Sequence, residues 1–172
     1  MDVRWHLFET ELNWMAGLWS GGALLKLVFG GANPQKAAKR LGVDPAWGQA
    51  ETASMKRARS LLVRFSRGQA VDLNSIPIDL GDRTSFQRKV LEECRRIPWG
   101  ETLSYGELAN RCGVARAARA VGTVMRSNRH PLIIPCHRVI AARGRVGGYS
   151  AHDGVATKQA LLSQEGVVLA QR

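Results

Sequence analysis

The hydrophobic rhythm of the chain changes partway along its length. Near the start, "RWHLFETELNWMAGLWSGGALLKLVFGG" breaks short apolar runs with turn residues, which predicts two or three strands with a hairpin at Gly21-Gly22. A loop with a short helix is expected over 32–51. Met55, Leu61, Leu62 and Phe65 then recur at helical spacing over 52–68, with Gly68 as the stop. Residues 69–82 read as a final strand and a linker, placing a domain boundary near residue 81. Beyond it the period is helical. Thr84 or Ser85 caps a segment whose Phe86, Val90, Leu91, Cys94 and Ile97 share one face, and Pro98 ends it. Ser104 and Glu107 form a capping box at the head of a short helix that Gly113 closes. "VARAARAVGTVMRS" (114–127) follows after a short turn, so the pair reads as a helix-turn-helix, and a last helix is expected over 156–165. The expected fold is an α/β N-terminal structural domain (1–80), a small β-sheet with a helix, then a mainly α domain (81–172) carrying the helix-turn-helix.

Composition narrows the function. With 172 residues and 45% hydrophobic content, the chain can bury a real core. Its net charge of +11 steers it toward a polyanion, nucleic acid first and an anionic membrane surface second. No apolar run approaches the roughly 20 residues that span a bilayer. "MDVRWHLFETEL" is no signal peptide, and lipidation motifs are absent, so a soluble intracellular protein is expected. Cys94, Cys112 and Cys136 make an odd, sparse set without a CxxC pair, and the four histidines are scattered. That argues against a disulfide framework and a structural zinc site.

The basic residues differ in meaning along the chain. Lys56, Arg57, Arg59, Arg64 and Arg67 on the outer face of the 52–68 helix read as a solvated surface. The 114–127 helix is almost entirely small residues and arginines: Ala115, Arg116, Ala117, Ala118, Arg119, Ala120, Gly122 and Arg126, with Arg129 just beyond. Small side chains let a backbone approach closely and arginines reach phosphates or a groove, so DNA contact is favoured here.

The candidate chemistry lies in "LIIPCHRVIA" (132–141). Pro135 pushes Ile134 toward an extended conformation. In an extended chain Cys136 and His137 point to opposite sides, so coupling them takes a water relay or a bend. An isolated buried cysteine is usually inert. Here His137 can take a proton and Arg138 adds positive potential, both favouring the thiolate. Glu165 in "LLSQEG" is the candidate to orient the histidine.

"IPCHRVI" with "GGYS" downstream resembles the active site of the O6-alkylguanine-DNA alkyltransferases, the methylated-DNA–protein-cysteine methyltransferases. "FQRKVLEECRRIPWGETLSYGELA", "ARAVGTVMRSN", "IPCHRV", "GGYS" and "LLSQEG" occur in the family's order over residues 84–166. The resemblance implies that Cys136 is the alkyl-accepting nucleophile, that His137 deprotonates it through a water, and that Glu165 polarises the histidine. It implies that Asn128 braces the active-site turn and that Tyr105 donates a proton to the departing guanine. Arg119 would enter the duplex in place of the extruded base, with Arg116, Ala118, Arg126 and Tyr105 on the DNA-binding surface. Met125, Val139, Tyr149 and Ser150 would wall the base pocket. The implied function is repair by direct reversal. One alkyl group passes irreversibly from O6 of guanine in double-stranded DNA to Cys136, with O4 of thymine an open alternative, after minor-groove binding and base flipping. No cofactor and no metal are implied, and a monomer is expected, cytoplasmic and nucleoid-associated in a prokaryote or nuclear in a eukaryote, with no membrane role.

The chain departs from the family pattern in three places. Ala151 and His152 stand where glycines are usual, which narrows the expected room for bulky adducts. The segment up to Lys158 is two residues longer than the pattern. Residues 1–30 lack the cysteine and histidine set of the zinc site in some animal members. Three other readings compete. An alkyltransferase-like lesion sensor would carry tryptophan where Cys136 stands. A cysteine hydrolase would take its histidine from a distant segment. A helix-turn-helix regulator with a structural cysteine leaves "PCHRV" unexplained.

Overall fold

The computed structural model describes residues 3–44, 51–151 and 153–170. The chain divides into two compact units, Met1–Gly81 and Asp82–Arg172. The first is the α/β unit. Its strands β1 (Val3–Thr10), β2 (Asn13–Ser20) and β3 (Ala23–Gly31) form an antiparallel sheet in the order β1-β2-β3. Gly21 and Gly22 turn the second hairpin at φ 54° and 86°. Two consecutive positive φ values match the twist of the strands, and glycine adopts them without a Cβ clash.

Strand alternation sends Trp5, Leu7, Ala16 and Leu18 to one face of the sheet. Helix α1 (Pro34–Leu41) covers that face with Ala37 and Leu41. Phe8 and Met15 take the opposite parity and are buried too. Helix α2 (Ala53–Ser66) packs against β1 and buries Met55, Ala58, Leu62 and Phe65, whereas Leu61 is only half-buried. The expected strand over 69–82 does not form. A 3-10 turn at Leu73–Ser75 leads to one bridge, Leu24 with Ile78. Pro77 explains the shortfall: it has no N–H to donate, so its carbonyl alone pairs, with the amide of Leu24 at 2.9 Å.

The second unit is mainly helical. Helix α3 (Ser85–Arg95) opens on a capping box between Thr84 and Gln87 and buries Val90, Leu91 and Cys94. Strand β4 (Leu103–Ser104) runs directly into α4 (Tyr105–Arg111), whose own capping box joins Ser104 to Glu107. Helix α5 (Ala118–Arg126) completes the helix-turn-helix and buries Val121, Val124 and Met125. It starts four residues later than its periodicity predicts, because Arg116 sits at φ 67° and breaks the helical path. Arg83 donates to the carbonyl and hydroxyl of Ser127, capping the far end of α5. Strand β5 (Val139–Ile140) pairs in parallel with β4, Leu103 opposite Val139 and Ser104 opposite Ile140. Helix α6 (Val155–Gln164) buries Lys158, Leu161 and Leu162. Cys112, which its place near a helix end suggests is partly exposed, is buried. Among the described residues no helix is long and apolar enough to cross a membrane.

The Ser104 cap fixes the first turn of α4 and so the place of Tyr105. Replacing Ser104 with alanine is expected to lower the unfolding free energy by about 1 kcal/mol, read by urea denaturation.

Candidate active site

The segment that holds the thiol is bent. Pro135 has φ −78° and ψ 64°, and the amide of Cys136 donates to the carbonyl of Ile134 at 2.7 Å. That is an inverse γ-turn. A 3-10 turn over Cys136–Arg138 follows, closed by the amide of Arg138 on the carbonyl of Pro135 at 2.8 Å. The extended run suggested by the apolar sequence is therefore interrupted at the proline, and β5 begins only at Val139. Asn128 braces the bend from outside it. Its amide nitrogen donates to the carbonyl of Ile134 at 2.9 Å and to the Cys136 sulfur at 3.2 Å, while its oxygen accepts from the amide of His130 at 2.9 Å.

Behind the thiol lies a buried ionic cluster. One oxygen of Glu165 accepts from Nε2 of His137 at 2.8 Å and from Nη2 of Arg138 at 2.9 Å. The other accepts from Nε of Arg138 at 2.8 Å and from the amide of Gly100 at 3.2 Å. The remaining guanidinium nitrogen of Arg138 donates to the carbonyl of Ile97 at 2.6 Å. Four donors on one carboxylate explain its acidity. Burial alone raises the pKa of Glu165, but the hydrogen bonds from His137 and Arg138 outweigh it and bring it down to about 2. Because Glu165 is ionised, Nε2 of His137 carries the proton and Nδ1 is the basic nitrogen. Burial lowers the His137 pKa, only partly offset by Glu165, so the ring is neutral near pH 7.

The thiol is not electrostatically primed in the way the sequence suggests. Arg138 spends its charge on Glu165, and the cation facing Cys136 is Lys158. Burial pushes the Cys136 pKa up, against the hydrogen bond from Asn128 and the charge of Lys158. The resting pair is a neutral thiol beside a neutral imidazole. Lys158 itself is pulled down to about 8 by burial, partly countered by Cys136 and Cys94. Its ammonium donates to the carbonyls of Val139 and Gly148 and lies 5.7 Å from the centre of the Tyr105 ring. The sequence does carry a signal for it: Lys158 precedes Leu161 and Leu162 by one helical turn, on the apolar side of α6.

Cys136 opens onto a cleft of about 810 Å³. One wall is the helix-turn-helix, with Tyr105, Ala118, Arg119, Met125 and Arg126. The other is loop backbone, with Ala141, Ala142, Gly148, Tyr149 and Ser150. The β4–β5 pairing explains why Tyr105 and Cys136 meet, since it ties the residue before Tyr105 to the strand after the bend. The Tyr105 hydroxyl donates to the carbonyl of Gly148 at 3.4 Å, and the Ser150 hydroxyl to the carbonyl of Arg126 at 3.2 Å. Gly147, at φ 72°, lets the loop pass close: a Cβ there would meet the Ala141 amide at 3.3 Å. The buried Tyr149 hydroxyl lies against the Cys136 sulfur and has no oxygen or nitrogen partner. Burial chiefly, and the neighbouring Cys136, raise its pKa well above the usual tyrosine value.

Two expected site residues stand apart. Val139 is fully buried in β5 and does not line the cleft. Arg116 is exposed in the turn before α5, outside the cleft lining. Ala151 is half-buried, and His152 lies outside the described residues. Ahead of α6 the amide of Gly154 donates to the carbonyl of Ala151 at 3.0 Å, and Glu165 at the end of α6 reaches His137. Among the described residues no group of three or more His, Cys, Asp or Glu side chains is placed to hold a metal ion.

Comparison with known proteins shows the family and the fold. A family model described as "6-O-methylguanine DNA methyltransferase, DNA binding domain" matches residues 85–167. A methylated-DNA–protein-cysteine methyltransferase of Methanosarcina acetivorans is 37% identical over 135 residues, 78% of this chain and 83% of that relative. The crystal structure of Mycobacterium tuberculosis OGT in complex with DNA is similar with a TM-score of 0.74 at 28% identity, over 94% of this chain and 92% of that one. The O6-methylguanine-DNA methyltransferase of Pyrococcus kodakaraensis is similar with a TM-score of 0.72 at 25% identity, over 96% and 99% of the two chains.

Glu165→Gln is expected to cost about 3–5 kcal/mol, since it leaves Arg138 buried without its counter-charge. The sign of its pH dependence follows from the depressed carboxyl. The native Glu165 contributes stability above its ordinary pKa of 4.5, which is lost as the pH falls toward about 2. Urea denaturation of both proteins across that range should show the gap between them closing on acidification.

Proposed function

We infer, because the chain belongs to the O6-methylguanine DNA methyltransferase family, that it repairs alkylated DNA by moving the alkyl group onto its own Cys136. It is an enzyme of the methylated-DNA–protein-cysteine methyltransferase class. One observation carries the assignment of the nucleophile: Cys136 lines the cleft with its sulfur on the amide of Asn128, the next residue, His137, is bonded to the buried Glu165, and Arg119 and Arg126 of α5 line the same cleft.

The geometry supports the following sequence of events. Helix α5 lies against the minor groove of double-stranded DNA containing O6-alkylguanine, its alanines allowing close approach, with Arg119 and Arg126 of the helix and Arg116 of the preceding turn supplying positive charge. The target atom is inaccessible inside the stack, so the base turns out into the cleft and Arg119 fills the gap. Met125 and the Tyr149–Ser150 loop hold the base. His137 takes the thiol proton at Nδ1 through one water, and the imidazolium is stabilised by Glu165. The sulfur attacks the alkyl carbon and the C–O6 bond breaks. Its electron pair passes to the guanine, which takes a proton from the Tyr105 hydroxyl. The thioether on Cys136 is not reversed, so each chain reacts once. A neutral resting thiol suits this role: it stays unreactive until a substrate and a proton route are both in place.

Cys136→Ala and Cys136→Ser are expected to abolish transfer from a duplex containing O6-methylguanine while duplex binding persists; transfer activity in either variant overturns the nucleophile assignment. Tyr105→Phe should slow single-turnover transfer about 10²-fold. The lowered His137 pKa fixes the sign of the acid limb. The base remains neutral below pH 6.5, its ordinary pKa, so the transfer rate should hold there and fall only at more acid pH.

A further inference from the structure

The far rim of the cleft carries a feature that neither the nucleophile nor the helix-turn-helix uses. Ala141 and Ala142 form part of the cleft wall, and the chain then turns tightly through Arg143, Gly144 and Arg145. Arg143 lies in the left-handed region, at φ 60° and ψ 34°, with Gly144 at φ 70° beside it. Such a backbone is unfavourable for a long side chain, and a strained residue kept at the edge of a site invites a functional reading. The turn is closed from outside by the amide of Ala141 donating to the carbonyl of Arg145 at 2.8 Å. Arg143 and Arg145 are both exposed, and neither makes an ion pair with a described residue.

We propose that this turn is a second phosphate clamp, in which Arg143 and Arg145 hold the DNA backbone beside the extruded nucleotide from the side opposite α5. The proposal rests on the reading of the cleft as a site for an extruded base. A nucleotide that enters the cleft remains joined to its neighbours, so its phosphodiesters must cross the rim. One bank of the rim carries Arg119 and Arg126. The other has Ala141 and Ala142 in its lining, followed in the chain by two exposed guanidiniums with no ion pair to a described residue, which suits a polyanionic strand passing over an apolar lip. No acidic residue lies between Ala141 and Ala151 to oppose it. The partner chemistry is the DNA phosphate rather than any base, so the contact adds affinity without sequence preference.

The test measures binding of a fluorescent undamaged duplex across a salt series, with urea denaturation alongside. Arg143→Gly and Arg145→Ala should each lower the slope of log affinity against log salt by about 1, and the affinity by about 5-fold at 0.15 M salt. Arg143→Lys should retain most of the binding. Arg143→Gly relaxes the left-handed backbone, so it should bind DNA less tightly while becoming more stable. A merely structural role for Arg143 predicts the reverse pairing, with stability falling and the salt slope unchanged. Wild-type affinity and slope in both Arg143→Gly and Arg145→Ala overturn the clamp and leave the functional reading intact. A wild-type protein that neither binds duplex nor takes up an alkyl group overturns that reading and the clamp with it.

Discussion

The second unit depends on one buried carboxylate. Glu165 follows the last turn of α6 and accepts from His137, Arg138 and the Gly100 amide. Those donors come from the turn after the proline bend and from the loop after α3. The same four hydrogen bonds that compensate the desolvation of the charge also fix the tautomer of His137 and hold Arg138 away from the thiol. A single ionised group thus sets chain path and proton chemistry together. Removing it leaves a buried guanidinium without its counter-charge, so a neutral replacement costs the unit much of its stability.

Around that anchor, backbone rather than side-chain geometry determines where the chemistry can occur. The inverse γ-turn at Pro135 puts Cys136 under the amide of Asn128, and the short β4–β5 ladder brings Tyr105 to the same cleft. Both devices involve very few residues. The electrostatics are those of a guarded site: burial raises the thiol and lowers the imidazole, so neither is charged at rest. Lys158, buried and bonded to the carbonyls of Val139 and Gly148, links β5 to the loop that closes the cleft.

Much of this was legible in the residues, for identifiable reasons. Hairpin glycines and capping boxes are local signals, so the Gly21-Gly22 turn and the starts of α3 and α4 could be read directly. The fold class and the family resemblance held because they rest on patterns many residues long. Signals that depend on tertiary context failed. Pro77 left a strand as a single bridge and Arg116 delayed α5 to Ala118, while of the two alternatives open at Pro135 the chain takes a bend. Charge placement was the other failure. Sequence adjacency suggested that Arg138 serves Cys136, whereas the nearby cation is Lys158, delivered by a helix more than 20 residues away in the chain.

In the proposed reaction Cys136 accepts one alkyl group from the O6 position of guanine in DNA. Intact-protein mass spectrometry after incubation with a duplex containing O6-methylguanine tests it most directly. A gain of one methyl group per chain, never more, is expected, mapped to Cys136 by peptide analysis. No mass gain with tight binding to the same duplex, or a methyl group mapped to Cys94 or Cys112, would contradict it.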